Sequence, residues 1–171
     1  MIMDDTATDR ERLRQRAYSA AANVRDPEIP VLTLADLGIL REVSVGADGS
    51  VEVVILPTYM GCPAMGLIQE EVETALETAG FERIEVRLAH SPPWSTDRMS
   101  PESREKLRSI GIAPPACSAA SRNLFAKATD VACPRCGSSE TEVISEFGST
   151  TCKSLWRCKS CREPFDHFKC S

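Results

Sequence analysis

Two pairs of cysteines, Cys133 with Cys136 and Cys158 with Cys161, stand at the spacing with which a short turn aims two sulfurs at one ion. In the first hook, Cys133-Pro134-Arg135-Cys136-Gly137, the glycine lets the backbone turn beneath that ion. Four thiolates give closed tetrahedral coordination with Zn–S bonds of about 2.3 Å, which is the form of a structural zinc site. The 21 residues between the hooks slightly exceed the usual gap of about 15–20. That interval has room for two strands, Glu142–Phe147 and Thr151–Arg157. Six of the eight cysteines lie between Cys133 and Cys170. A module as short as residues 131–171 cannot stand on an apolar core alone, so metal binding there becomes folding free energy. Cys152, Cys170 and His167 are additional donors that fit a replaced ligand, a second site, or an iron–sulfur cluster in place of zinc. Cys152 shares strand parity with Cys158, which turns both inward.

A further thiol, Cys62, sits in Thr58-Tyr59-Met60-Gly61-Cys62-Pro63, after a strand and at the start of a helix. Free N–H groups at a helix N-terminus favour a thiolate and lower its pKa. Cys62 then suits transient metal or cluster binding or nucleophilic attack, against a buried cysteine that caps the helix. Asp36, just before Leu37-Gly38, serves either the same site or the cap of a short helix. Thr33 and Thr58 offer hydroxyls to a pocket or to turns, and His90 ends a strand as a structural residue. The only two histidines fall in different domains, which rules out a Ser-His-Asp arrangement. Cys117 has no assigned role.

The elements that must position these groups are legible in the periodicity. Residues 8–24 form a helix with Leu13, Ala17, Ala20, Ala21 and Val24 on one face. It ends before Asp26-Pro27, because proline disfavours helical geometry in the residue ahead of it. Pro27 and Pro30 keep DPEIPVLTLADLGIL extended, and Gly38 permits a turn. Strands are predicted over 39–45 and 51–57, with Ala47-Asp48-Gly49-Ser50 as the hairpin turn. Pro63 suits the first position of the next helix and Gly80 its C-terminal cap. Between them Met65, Ile68, Val72, Ala75, Leu76 and Ala79 recur at helical spacing, largely opposite Glu70, Glu71, Glu73 and Glu77.

A third strand over 82–89 alternates Ile84, Val86 and Leu88 with charges, and the helical crossover should lay it parallel to the second strand or another neighbour. Ser100-Pro101-Glu102 opens another helix that Gly111 closes. The expected class is α+β: a small α-β-β-α-β domain with a mixed sheet over 8–112, an Ala/Pro/Ser-rich linker over 113–130, and a zinc-ribbon-like module over 131–171.

Bulk properties narrow the function. The chain is acidic, with net charge −5 and pI near 5.2, and shows no basic stripe of the kind a nucleic-acid binder needs. No run approaches the roughly 18 apolar residues of a membrane span. The polar start MIMDDTATDRERLRQR has no apolar signal core, so the cytoplasm is the expected compartment. Thiols stay reduced there, which again points to metal or thiol chemistry over disulfides.

Taken together, DPEIPVLTLADLGIL, TYMGCP and PPWSTDRMSPESREKLRSIGIAPP resemble the metal–sulfur cluster assembly family, the SufT-like or MIP-type domain. With ACPRCG and GSTTCKSLWRCKSCREPFDHFKC added, residues 15–171 resemble the PaaD family of proteins encoded with phenylacetyl-CoA oxygenase (epoxidase). The resemblance implies an accessory or maturation factor in phenylacetate degradation, not an enzyme. Such a factor assists iron or iron–sulfur cofactor assembly in the oxygenase or reductase subunit. It makes Cys62 the family's GCP thiol and Asp36 its DLG acid, the transfer site. Trp94 and Asp97 match its W-x-x-D segment, and the four hook cysteines with Cys152 and Cys170 match its tail.

The implied cofactors are structural zinc and a transient iron or iron–sulfur cluster. The implied partners are subunits of the phenylacetyl-CoA oxygenase complex, with neither nucleic acid nor membrane; an exposed thiol also admits pairing across a homodimer. The residues agree on one point: the chain has neither the Glu-x-x-His pairs of a di-iron bundle nor a Gly-rich nucleotide fingerprint. Two alternatives stay open, a zinc-stapled adaptor without cluster chemistry and a small thiol enzyme with Cys62 as nucleophile.

Overall fold

A computed structural model describes residues 5–115 and 131–169. Cys117, Cys170 and most of the expected linker, residues 116–130, lie outside the described residues. The chain divides into two compact units.

The first unit comprises the residues up to Pro57 together with Pro63–Pro93. Helix α1 (Asp5–Ala22) packs against a strand and a second helix through Ala17 and Ala21, both fully buried; their small side chains permit close approach. One helical turn, α2 (Leu34–Leu37), follows. Strands β1 (Leu40–Val45) and β2 (Val51–Ile55) form an antiparallel hairpin in which Val43 faces Val53 and Val45 faces Val51. At its turn the Asp48 carboxylate accepts from the Ser50 N–H, and Gly49 takes φ 79°, which a side chain would resist. Helix α3 (Met65–Thr78) then crosses to β3 (Ile84–Leu88), which lies parallel to β2.

The sheet order β1-β2-β3 puts β2 in the centre, and this explains why Val51, Val53, Val54 and Ile55 are all buried where an edge strand would alternate. From α3, Met65, Ile68, Val72 and Leu76 fill the core, as the helical spacing predicts.

The second unit comprises Thr58–Cys62 and the chain from Trp94 onward. After a single 3₁₀ turn (Thr96–Arg98), helix α4 (Pro101–Ser109) starts at Ser100, whose hydroxyl accepts the Ser103 N–H at 3.1 Å. Four strands form one sheet: β4 (Ile112–Ala113), β5 (Thr141–Ser145), β6 (Lys153–Cys158) and β7 (Pro164–Phe168), in the order β4-β7-β6-β5. Strands β5, β6 and β7 run antiparallel, while β4 joins β7 in parallel. Ala113, Val131, Cys133, Trp156, Cys158 and Phe165 form its small core.

Sequence and structure differ here. Composition suggests a break after residue 112, but Trp94–Ala113 shares its contacts with the cysteine-rich unit, because β4 completes that unit's sheet. A two-residue strand leaves no periodicity to read.

Candidate metal centre and the Cys62 loop

Each cysteine hook is built by a turn. Gly137 donates to the Cys133 carbonyl at 2.9 Å and the Cys133 N–H to the Ser138 carbonyl at 2.9 Å, so the chain after Cys136 folds back beneath the sulfurs. The second hook repeats this with Cys158 N–H donating to the Glu163 carbonyl at 3.0 Å. In both hooks the residue after the second cysteine is left-handed, Gly137 at φ 74° and Arg162 at φ 65°. Arginine at that position keeps a backbone conformation that glycine would adopt without strain. The Ser138 and Ser160 hydroxyls, 2.8 Å apart, tie the two turns together.

The four sulfurs converge. Cys133 Sγ lies 3.7 Å from Cys161 Sγ, Cys136 Sγ lies 3.6 Å from Cys158 Sγ, and all four fall within 4.8 Å of one another. A tetrahedron with Zn–S bonds of about 2.3 Å has sulfur–sulfur edges of about 3.8 Å, so the cradle fits such an ion. The electrostatics agree. The Cys158 thiol is lowered to about 6, first by the Cys161 N–H aimed at its sulfur. Cys161 is pushed up to about 12: the Glu163 N–H bond pulls it down, but burial and the three neighbouring sulfurs outweigh that. Cys158 gives up its proton readily and Cys161 resists, so holding both as thiolates in one cradle calls for a soft divalent cation.

Of the other expected donors, His167 and Cys152 stand apart from this group. His167 is 5% exposed and pairs across the β6–β7 ladder with Ser154. Its Nδ1 is 3.3 Å from the Ser154 hydroxyl, which accepts the Trp156 indole N–H at 2.9 Å. Its Nε2 has no hydrogen-bond partner among the described residues, and burial lowers its pKa to about 4, so the ring is neutral at pH 7. Cys152 is buried, with its sulfur 3.0 Å from the Thr150 hydroxyl.

Asp36 closes a reciprocal capping box on α2. Its carboxylate accepts the Thr33 N–H at 2.9 Å, and its own N–H donates to the Thr33 hydroxyl at 3.2 Å, before Gly38 ends the turn at φ 64°. Asp36 and Cys62 fall in different units. Cys62 stands ahead of α3, whose cap is Ala64 and whose first residue is Met65, rather than on its N-terminal turn as Pro63 suggests. It retains partial exposure in a turn closed by its own N–H to the Tyr59 carbonyl at 3.2 Å. His90 is exposed beyond β3, and Trp94 is 3% exposed.

Sequence reasoning missed β7, Arg162 and Lys169. The alternation in PFDHF is the signal that would have marked the strand. Among the described residues no helix is long and apolar enough to cross a membrane.

Two family models match the chain: an iron–sulfur cluster assembly protein over residues 14–88 and a PaaD zinc beta ribbon domain over residues 117–169. A protein of Escherichia coli K12, named as a subunit of a "Putative 1,2-phenylacetyl-CoA epoxidase", is 48% identical over 153 residues, covering 90% of each chain. An Fe-S protein maturation auxiliary factor of Porphyromonas gingivalis is 41% identical over 85 residues, 49% of this chain and 80% of that one. Among solved structures, a DUF59 domain from Bacillus anthracis superposes with TM-score 0.55 at 29% identity, covering 59% of this chain and 96% of that one.

Proposed function

Because the chain belongs to the PaaD family, whose Escherichia coli relative is named for the 1,2-phenylacetyl-CoA epoxidase, we propose that it is an accessory factor that helps supply iron or an iron–sulfur cluster to a subunit of that monooxygenase complex. The oxygenase or the reductase is the client. The observation that carries this reading is the access of one thiol. Among the described cysteines outside the four-sulfur group, Cys152 is buried and Cys62 keeps solvent exposure. A thiol at the surface can take up a soft metal or cluster and release it; a closed Cys₄ site cannot.

The four hook cysteines would hold one zinc ion, which supplies cross-linking of the two turns and no chemistry on substrate. Cys133 and Cys158 anchor it from the core, at 2% and 0% exposure, while Cys136 and Cys161 stand outside. Iron or a cluster is cargo, handled by Cys62. Asp36 shapes the Thr33–Gly38 turn in this reading, by its capping box. The chain acts in the cytoplasm on protein partners.

The test is the client's cofactor. Cells carrying Cys62→Ser should make the epoxidase subunits in normal amounts but with depleted iron or sulfide, and grow poorly on phenylacetate. Equal iron and sulfide per purified complex, at equal levels of folded factor, would exclude the transfer role. The control matters, because Cys62 is only partly exposed and its replacement also changes local packing. One observation favours a second reading, a zinc-stapled adaptor that binds the complex without cluster chemistry. Cys62 precedes the helix cap at Ala64, so it stands ahead of the turn whose N–H groups favour a thiolate. An adaptor tolerates Cys62→Ser.

A further inference from the structure

Residues Thr58–Cys62 cluster with the chain from Trp94 onward and not with the strand before them or the helix after them. Lys169 is a side chain that meets this loop. Its N–H donates to the Cys152 carbonyl at 2.9 Å, extending the β6–β7 ladder one step beyond the Lys153–Phe168 pair. The ladder thereby fixes where its side chain begins. The ammonium donates to the Thr151 carbonyl at 3.1 Å and stands 4.2 Å from the centre of the Phe147 ring and 5.8 Å from that of Tyr59. Both lie within the roughly 6 Å reach of a cation–π attraction. On the neighbouring position Phe168, 2% exposed, meets Trp94 edge-on at 6.1 Å, so the strand end is held on its other side as well.

Tyr59 is the anchored ring of a very short turn. Its carbonyl accepts the Cys62 N–H, and Gly61 between them takes φ 78° with open space where a Cβ would stand. Met60 at the tip is 70% exposed. The Tyr59 ring and the Cys62 thiol thus branch from one closed turn.

We propose that Lys169 is a positioning residue for Cys62: the last strand of the cysteine-rich module grips the thiol loop through Phe147, Lys169 and Tyr59, and so sets how Cys62 is presented. This rests on the reading of Cys62 as the thiol that handles the cargo. It assigns the module a task on its own chain. Strand β7 is paired with β6, which carries Cys158, so the grip exists only while the module is folded.

The experiment compares full-length, zinc-loaded wild type, Lys169→Ala, Lys169→Arg and Tyr59→Leu. It measures the alkylation rate of Cys62 by iodoacetamide, resolved by peptide, amide exchange over residues 59–62, and zinc content. In Lys169→Ala both rates should rise about threefold or more with zinc unchanged, the scale expected from losing two ring contacts. Lys169→Arg, a cation that also stacks on rings, should stay within about twofold of wild type. Tyr59→Leu leaves the strand end untouched and should match Lys169→Ala. Unchanged rates in Lys169→Ala or Tyr59→Leu, or an equal rise in Lys169→Arg, overturn the proposal. Alkylation does not depend on cargo. Normal client iron in Cys62→Ser removes the transfer role and leaves the grip standing, whereas unchanged alkylation does the reverse.

Discussion

At the scale of single residues, most of the chemistry-bearing side chains carry a structural duty that can be measured. Arg162 occupies the left-handed position that Gly137 fills in the matching hook. Arg162→Gly should therefore stabilise the module by about 1 kcal/mol, read as a higher melting temperature of the zinc-loaded protein, less glycine's own entropic cost. Thr33 and Asp36 cap each other's turn, so Thr33→Ala should cost about 0.5–2 kcal/mol in denaturant unfolding of the first unit. His167 gives a pH dependence whose sign follows from its burial. Its folded pKa of about 4 lies below the ordinary 6.5, so between those values the unfolded chain binds more protons than the folded one. Stability should fall as pH drops from 6.5 towards 4 and rise again on return. His167→Phe keeps a ring against Trp156, removes the orphan nitrogen, and should flatten that slope in paired unfolding curves at equal zinc content.

At the scale of elements, the cysteine-rich unit is a thin sheet whose strands depend on one another. Trp156, on β6 at 6% exposure, is the largest side chain of a core made otherwise of Phe165, an alanine, a valine and two cysteines. Trp156→Ala should cost about 3–5 kcal/mol, enough to leave the unit unfolded at moderate temperature, as tested by fluorescence-monitored denaturation. Because β4 pairs with β7, loosening should not stop at the ribbon strands. On adding a chelator, amide exchange in Ile112–Ala113 should accelerate together with that in Thr141–Ser145. Protection retained at Ile112 after metal loss would show that α4 and β4 stand without the sheet.

At the scale of the whole molecule, the two units have different sources of stability. The first rests on a conventional apolar core of Leu32, Leu34, Ile55, Ile68, Val72 and Leu76, each at most 2% exposed. The second has few buried side chains and a four-sulfur cradle. Cys136→Ser should abolish stoichiometric zinc and unfold the second unit while the first keeps its secondary structure, seen as one lost transition in a thermal scan. Full zinc content with an unchanged fold would defeat the ligand assignment.

Periodicity and spacing alone determined the α-β-β-α-β order, the parallel return of the third strand and the two cysteine hooks. Each of these depends on neighbours close in sequence: the helical repeat of Met65, Ile68 and Val72, the hairpin turn before Ser50, and sulfurs three residues apart. Tertiary structure alone decided what depends on distant segments. Ile112–Ala113 became a strand because β7, far along the chain, offered a partner, and no local signal marks that. His167 stayed outside the sulfur group because cross-strand register gave it to Ser154, and a register is a property of two strands together. Cys62, which sequence set on a helix start, went with the loop that Tyr59 anchors against Lys169. A ring and a cation that far apart in the chain meet only once the sheet of the second unit has formed.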